Sequence, residues 1–508
     1  MRLMLLPALA LAACNSDSND TSSTDAGADL VEDSVADTSD GSGEGDVVTD
    51  APDVIEADDR LDGEDCVADQ QCASGECLLP EEGFPGGMCS VTGCEGRSDC
   101  FSVGAACLRG EFNGNLCVQL CASDAECREG YRCAGENGGS YCFPDIVGAA
   151  LNPVCDSRLL AESDIRSPFQ TGAGSLNRHE IIFEISEEAT AFSVVAWDLR
   201  NRVYTERIRF PDGQELRIDE YASYFFSPGT FETVSPVLFP GGPQYVPDMQ
   251  GGEYAMEIGY SGREVDDICF VVFEETAGLS PDDEPLVVDM NFYFVGAPGL
   301  DAVSAPTDSD FQEMLEQFDL AYDQAGVELG ELRYYDVIGA VEDRFQLIRD
   351  PDEVFELVQL SRQPGPTRDD LLRVNVFFNE GFAGEMGGVL GVSAGIPGAM
   401  GLHSAEATGL VFSASNLGGR GNAQVGQTLA HELGHFLGLF HTTEQRGGGS
   451  DQLEDTPVCE AISEGLGACP DLQNLMFPVA AWSGTAQVSI GQSVIIRANP
   501  LTKQRDVQ

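Results

Sequence analysis

The sequence predicts a multidomain chain of 508 residues, with disulfide-rich modules, an antiparallel β-sandwich and a mixed α/β (α+β) domain in that order. Three observations support this prediction. Twelve of the 17 cysteines lie between Cys66 and Cys142. Short runs with a period of two residues follow, up to about residue 283. From about Pro285, strand patterns alternate with helical patterns. The predicted boundaries are 1–13 for a signal peptide, 14–65 for a tether, 66–150 for the modules, 151–284 for the β-sandwich and 285–508 for the last domain.

The first residues predict export from the cytoplasm. A short basic start precedes the apolar run Leu3–Ala13, which is too short to span a bilayer. The sequence Leu-Ala-Ala-Cys that ends at Cys14 resembles the lipobox of bacterial lipoproteins. This resemblance implies cleavage before Cys14, lipidation of Cys14 and a membrane anchor at the cell envelope, at the outer membrane or surface of a bacterium. An ordinary signal peptide with an incidental Cys14 is the alternative.

The segment after Cys14 predicts a disordered, acidic tether. Residues 15–65 are rich in Asp, Ser, Thr, Gly and Ala and contain no aromatic residue, so they cannot bury enough apolar surface to offset the ordering entropy. Cation binding by the tether is a less favoured alternative. The formal net charge of the chain is -60, which excludes nucleic acid as a partner because phosphates would be repelled.

The cysteine-rich region contains three sets of four cysteines, and each set opens with the spacing C-x5-C. The sets are Cys66, Cys72, Cys77 and Cys89, then Cys94, Cys100, Cys107 and Cys117, then Cys121, Cys127, Cys133 and Cys142. Modules this short cannot build a sufficient core without covalent support, so we predict two disulfides in each. For their function we expect a spacer role or docking of an unknown partner. Zinc knuckles are disfavoured because the C-x2-C spacing and histidine are missing. The other predicted pairs are Cys155 with Cys269 and Cys459 with Cys469.

The middle region predicts an antiparallel β-sandwich from short β-branched and aromatic runs. These runs are HEIIFEI, AFSVVAWDL, RVYTERIRF, ELRIDEY, EYAMEIGY and CFVVFEE. The region loosely resembles the accessory β-sandwich domains of secreted peptidases. His179 stands at the start of a predicted strand, and we interpret it as a surface residue rather than a metal ligand.

The last region alternates strand and helix patterns. The predicted strands are LVVDMNFYFVG, LRYYDVI, LLRVNVFFN and TGLVFSAS. A helix is predicted near PDEVFELVQLS. Another predicted helix is capped by Asp308 or Ser309 and ends at Gly326. Its apolar positions are Phe311, Met314, Leu315, Phe318 and Tyr322. A third predicted helix spans 424–437.

HELGHFLGLFH, within and after that third helix, has the spacing of a metal site. His431 and His435 are four residues apart and therefore lie on one helical face. Glu432 can reach a metal-bound water. Gly438 permits a left-handed turn that returns His441 as a third ligand. Three ligands leave one position for water, which is the catalytic zinc pattern. A buried helix that merely carries histidines is the alternative, and the full motif disfavours it.

This motif is the metzincin signature. With Asp455-Thr456-Pro457, the Cys459 and Cys469 pair and Asn474-Leu475-Met476, it resembles the pappalysin family of metzincin zinc metalloproteases over about residues 285–500. The resemblance implies an extracytoplasmic, lipid-anchored zinc metalloendopeptidase, a hydrolase that cuts protein or peptide substrates. It implies that His431, His435 and His441 bind zinc, that Glu432 is the general base for the zinc-bound water, and that Met476 forms the Met-turn.

The resemblance also implies a possible calcium site, with Asp451 and Asp455 at the matching acidic positions. Two solvated loop acids are the alternative there. One residue departs from the family pattern, because Pro478 stands where a tyrosine two residues after the Met-turn methionine is usual. Three alternative functions remain open: a catalytically inactive surface binding or adhesion lipoprotein that retains the zinc site, a purely structural envelope lipoprotein, and a latent enzyme blocked by a free cysteine.

Overall fold

The computed structural model describes residues 12–15 and, with internal gaps, 60–144 and 167–505. Most of the predicted signal peptide and tether, as well as Cys155, lie outside the described residues. Strand β1 is Ala12–Asn15. Among the described residues, no helix has both the length and the hydropathy that a bilayer span requires. The lipid anchor at Cys14 stays a prediction.

The cysteine-rich region folds into three two-stranded antiparallel ribbons. Their strands are β2 (Cys77–Leu78), β3 (Met88–Cys89), β4 (Ala105–Leu108), β5 (Leu116–Gln119), β6 (Tyr131–Glu136) and β7 (Gly139–Pro144), with 3-10 helices at Asp69–Gln71 and Arg97–Asp99. In each set the first cysteine bonds to the third and the second to the fourth. The bonds are Cys66–Cys77, Cys72–Cys89, Cys94–Cys107, Cys100–Cys117, Cys121–Cys133 and Cys127–Cys142. The prediction of two disulfides per set is therefore confirmed.

The middle region contains two antiparallel sheets. The strands are β8 (Ser167–Thr171), β9 (Ala173–Ser175), β10 (Arg178–Ile185), β11 (Ala191–Trp197), β12 (Arg202–Arg209), β13 (Glu215–Arg217), β14 (Val234–Phe239), β15 (Gly252–Ser261) and β16 (Cys269–Glu275). The outer sheet has the order β13-β12-β15-β10-β9, and the inner sheet has the order β14-β11-β16-β8. The two sheets share one apolar core. In it, the ring of Phe192 in β11 packs edge to face against the ring of Phe183 in β10, with 5.7 Å between the ring centroids.

His179 belongs to the buried face of β10. Its exposed fraction is 2%, and its ring lies 5.4 Å from the ring of Tyr260. Residues along β10 alternate between exposed and buried, so His179 points to the same side as Ile181. The interpretation of His179 as a surface residue was therefore wrong.

The last region is a mixed α/β domain, as predicted. Its elements are β17 (Leu286–Val295), α1 (Ser309–Tyr322), β18 (Val327–Val337), α2 (Ala340–Phe345), β19 (Leu347–Ile348), α3 (Pro351–Val358), α4 (Arg368–Leu371), β20 (Val374–Asn379), β21 (Gly381–Phe382), β22 (Val389–Ser393), β23 (Gly409–Ser413), α5 (Gly421–Phe436), α6 (Ile490–Ala498) and β24 (Thr502–Gln504). Short 3-10 helices lie at Ala305–Thr307, Asp323–Ala325, Gly384–Met386, Ala414–Asn416 and Leu466–Ala468.

The main sheet of this domain has the order β1-β22-β23-β20-β17-β18, and β24 pairs with the start of β17. Strands β17, β18, β20 and β23 run parallel, whereas β22 is antiparallel to β23 and β1 is antiparallel to β22. Strand β17 is buried at every residue, as expected for a parallel strand with both faces covered. Phe292 and Phe294 join the core that holds α1 and α5. Tyr293 and Val295 join the core that holds α2 and α3.

Helix α1 begins and ends as its sequence predicts. The side chain of Asp308 accepts a hydrogen bond from the backbone N–H of Phe311, and the left-handed residue Gly326 ends the 3-10 turn that continues the helix. All five predicted apolar positions are buried. The hydroxyl of Tyr322 donates to the carbonyl of Ala430 at 3.2 Å, which links α1 to α5.

Candidate metal centre

Helix α5 places the predicted site in the interior of the domain. His431, Glu432 and His435 each have an exposed fraction of 0%. Met476 packs beneath the same helix: a Cβ atom added to Gly434 would lie 2.6 Å from the Met476 sulfur. The absence of a side chain at position 434 therefore lets Met476 approach the histidine helix, at the place predicted for the Met-turn.

The chain leaves α5 through a left-handed turn at Gly438, whose φ is +113°. Its N–H donates to the carbonyl of His435 at 2.9 Å. After this turn His441 returns to the helix. The Nε2 atom of His435 lies 3.1 Å from Nε2 of His431 and 3.1 Å from Nε2 of His441. Ligand nitrogens around a tetrahedral zinc ion lie about 3.4 Å apart if each Zn–N bond is about 2.05 Å, so this donor set fits zinc.

Each histidine offers Nε2 because its Nδ1 already has an acceptor. Nδ1 of His431 donates to the carbonyl of Leu475 at 2.6 Å, and Nδ1 of His435 donates to the carbonyl of Leu439 at 2.7 Å. For His441 the acceptor is the carboxylate of Glu444, at 3.2 Å. Such contacts fix the tautomer and the ring orientation of metal ligands.

The protonation states also favour metal binding. Burial lowers the pKa of His431 to about 3, and burial lowers the pKa of His435 well below its ordinary value. Both rings are therefore neutral near pH 7, as metal binding requires.

Strand β22 places a backbone donor beside the carboxylate of Glu432. The N–H of Ser393 donates to Oε2 of Glu432 at 2.9 Å. A Cβ atom on Gly391 would lie 3.1 Å from Cγ of the same glutamate, so the strand backbone passes close to the carboxylate. The sequence analysis did not predict β22. The strand signal in the sequence is weak, because the whole strand, VLGVS, is short and contains a glycine.

A second group of acids lies near the third histidine. Oδ1 of Asp451 accepts a hydrogen bond from the hydroxyl of Thr456 at 2.6 Å. Oδ2 of Asp471 accepts from the hydroxyls of Thr442 and Thr443 at 2.6 and 2.8 Å. The other oxygen of each carboxylate is buried and has no hydrogen-bond partner among the described residues. Burial raises the pKa of Asp451 to about 6, and the negative charges of Asp455 and Asp471 add to this shift.

Asp455, the other predicted calcium ligand, makes different contacts. It accepts hydrogen bonds from the hydroxyl of Ser489 at 3.0 Å and from the N–H of Gly491 at 2.8 Å, at the start of α6. The negative charges of Asp455 and Asp471 both act on Asp451, and no motif in the sequence pointed to Asp471.

Two predicted cysteine pairs and Pro478 complete the set of features that the sequence analysis named. The Cys459–Cys469 disulfide is present as predicted. Cys269 is disulfide-bonded, whereas its predicted partner Cys155 lies outside the described residues. Pro478 follows Phe477 and is buried. Because proline has no hydroxyl group, this position cannot supply one.

Comparison with known proteins agrees with this geometry. Residues 369–477 match the peptidase M43 family model, described as "Pregnancy-associated plasma protein-A". The extracellular metalloproteases of Arthroderma benhamiae and Trichophyton verrucosum are each 43% identical to this chain over 53 residues. That segment covers 10% of this chain and 17% of each relative's length.

The matches indicate a metallopeptidase. Peptidases of the M43 family are zinc-dependent in general, so the comparison agrees with a donor set that fits zinc. The matched segments support the prediction of a metalloprotease.

Proposed function

We propose that the protein is an extracytoplasmic zinc endopeptidase of the pappalysin type. The observation that carries this proposal is the convergence of three Nε2 atoms, from His431, His435 and His441, with the buried carboxylate of Glu432 on the same helix as the first two histidines. Zinc, when bound there, supplies a Lewis acid that acidifies a water molecule and polarises the peptide carbonyl.

The protein groups would act on protons and on geometry. Glu432 takes a proton from the attacking water and delivers it to the leaving amine. The N–H of Ser393 orients that carboxylate through Oε2. The carbonyls of Leu439 and Leu475 hold two of the histidine rings in the tautomer that presents Nε2.

The finer structural assignments follow the same line. We assign the outer and inner sheets to an antiparallel β-sandwich, on the basis of their shared core. We assign the last region to a metzincin-like fold, on the basis of Met476 beneath the histidine helix. Attachment to a bacterial envelope through lipidated Cys14 is part of the proposal, and the sequence around Cys14 supports it.

The two acids near His441 extend the proposal to a second cation. Asp451 and Asp471 each keep one buried oxygen without a hydrogen-bond partner among the described residues. Carboxylate oxygens are ligands that calcium prefers, and a cation between them would offset their mutual repulsion. We therefore propose calcium at Asp451, with Asp471 rather than Asp455 as its second carboxylate ligand.

The decisive experiment is cleavage of an unbiased peptide library by the zinc-loaded protein and by its Glu432→Ala variant. Loss of the general base should lower the cleavage rate by about 10²–10⁴-fold while the zinc content stays the same. Glu316→Ala, at an exposed glutamate of α1, is the matched control and should cleave like the wild type. Equal cleavage by the Glu432 variant would refute the proposed role of Glu432.

One observation favours a second candidate, an inactive surface binding protein that retains zinc. Pro478 provides no hydroxyl where the resemblance leads us to expect a tyrosine. Under this alternative the wild type binds zinc tightly and cleaves no member of the library.

A further inference from the structure

The inner sheet lies against the metal centre as well as against the outer sheet. Strands β11 and β14 are buried at every residue. Val237 faces the core shared with the outer sheet. Its neighbour Leu238 faces the other way, into the core that also contains Phe436 and Leu437 from the end of the histidine helix. One apolar cluster thus joins the middle region to the proposed peptidase domain.

Leu238 contacts the turn that separates the second and third histidines. A Cβ atom on Gly438 would lie 3.1 Å from Cδ2 of Leu238, 3.4 Å from Cγ2 of Ile495 and 3.9 Å from Cβ of Pro397. Leu238 has an exposed fraction of 1%. The turn is therefore packed on three side chains from three parts of the chain, and the closest of them comes from β14.

The position of this turn determines where two ligands lie. The N–H of Leu439 donates to the carbonyl of Gly434 at 2.8 Å, and the carbonyl of Leu439 accepts from Nδ1 of His435. The chain then continues directly to His441. A displacement of the turn would rotate the His435 ring and move the His441 ring in the same event.

The inner sheet also contacts the segment that connects β22 to β23. Phe273 of β16 packs against Gly401, where a Cβ atom would collide with the phenyl ring. Thr233 donates its N–H to the carboxylate of Glu406 at 3.2 Å. The N–H of Gly398, in the same segment, donates to the carbonyl of Phe436 at 2.8 Å. The sheet thus supports the end of α5 from two sides.

We propose that Leu238 is a positioning residue of the zinc site and that the inner sheet sets the geometry of His435 and His441. This inference rests on the proposed zinc function and deepens it. Loss of the Leu238 side chain would leave a cavity behind Gly438, because buried side chains relax only partly around a lost neighbour. The turn would then no longer be held in its position.

The test compares Leu238→Ala with Val237→Ala in the full chain. The two residues are adjacent in β14, and both are fully buried, but they face different cores. We would measure zinc affinity by competition with a chelator, and the visible spectrum of the cobalt-substituted protein. We expect Leu238→Ala to weaken zinc binding by about 10-fold or more, as for loss of other groups that orient metal ligands, and to change the cobalt spectrum. Val237→Ala should lower the melting temperature and leave both metal readouts unchanged.

A volume-conserving variant separates positioning from folding. Leu238→Met should retain both the melting temperature and the zinc affinity, because it refills the space behind the turn. Equal zinc affinities for the two alanine variants would overturn the inference, as would a wild type that binds no zinc. A wild type that binds zinc but cleaves no peptide would refute the proposed peptidase function alone.

Discussion

The outer and inner sheets of the middle region differ in what covers them. In the outer sheet, β10 alternates between exposed and buried residues, and Ile182 on its solvent face has an exposed fraction of 48%. In the inner sheet, β11 is buried throughout, with Val194 facing the outer sheet and Val195 facing the last domain. The comparison teaches that the inner sheet belongs to two cores. It is part of the scaffold of the proposed metal centre.

The largest expected effect is that of removing Trp197, which faces the last domain from β11 and has an exposed fraction of 0%. Trp197→Ala should lower the free energy of unfolding by about 3–5 kcal/mol because it opens a large cavity. Ile182→Ala, on the solvent face of the outer sheet, should change it by no more than about 0.5 kcal/mol. Denaturant unfolding measures both, and equal values would break the comparison.

The sequence predicted the parts of the site that local spacing encodes. The histidine helix, the turn at Gly438 and the Asp308 cap of α1 all follow from residues a few positions apart. Helix α5 starts at Gly421, three residues before the predicted start, which is the usual uncertainty for a helix end.

Two of the strands that the sequence analysis did not predict, β14 and β22, lie beside the site. Strand β14 has the sequence VSPVLF and is buried on both faces, so it shows no period of two, and Pro236 weakens the strand signal. Strand β22 is short and contains a glycine. The contact of Leu238 with Gly438 joins distant parts of the chain, and no local spacing encodes such a contact.

The stability of the last domain should also depend on pH through a buried histidine, His403. His403 is fully buried, with Nδ1 3.0 Å from the amide of Asn375 and Nε2 3.1 Å from the carbonyl of Leu371. Burial lowers the pKa of His403 from 6.5 to about 4. The unfolded chain therefore binds a proton at higher pH than the folded chain, and stability falls as the pH drops from about 6.5 to about 4.

Over this pH range the free energy of unfolding of the wild type should fall by up to about 3 kcal/mol because of His403. The variant His403→Gln should not show this fall. Unfolding in the presence of a chelator, at several pH values in that range, compares the variant with the wild type while the other buried histidines stay common to both. Parallel stability curves for the two proteins would contradict the assignment.

Asp451 should give the folded protein a pH dependence of stability that is opposite to that of His403. Its pKa rises from 3.8 to about 6 in the folded chain, so the folded state binds more protons and stability falls as the pH rises from about 4 to about 6. In chelator at pH 7.5, Asp451→Asn should stabilise the protein by about 2 kcal/mol. Calcium should raise the melting temperature of the wild type at pH 7.5 more than at pH 5, and should leave the variant unchanged.

Asp455→Asn is the control for this experiment, because Asp455 accepts hydrogen bonds at the start of α6. It should keep the calcium response. If Asp455→Asn loses the response and Asp451→Asn keeps it, the calcium site involves Asp455 rather than Asp451.

The smallest expected effect lies on the solvent face of the outer sheet, which carries pairs of arginine and glutamate. Arg209 lies 3.2 Å from Glu180, and their side chains are 41% and 46% exposed. Exposed pairs of this kind contribute little, because water and salt screen them. A double-mutant cycle of Arg209→Ala and Glu180→Ala should give a coupling of no more than about 0.5 kcal/mol, and this coupling should vanish at high salt. A coupling well above about 1 kcal/mol would mean that the solvent face also holds the sheet in place, and burial alone would then not explain why the two sheets differ.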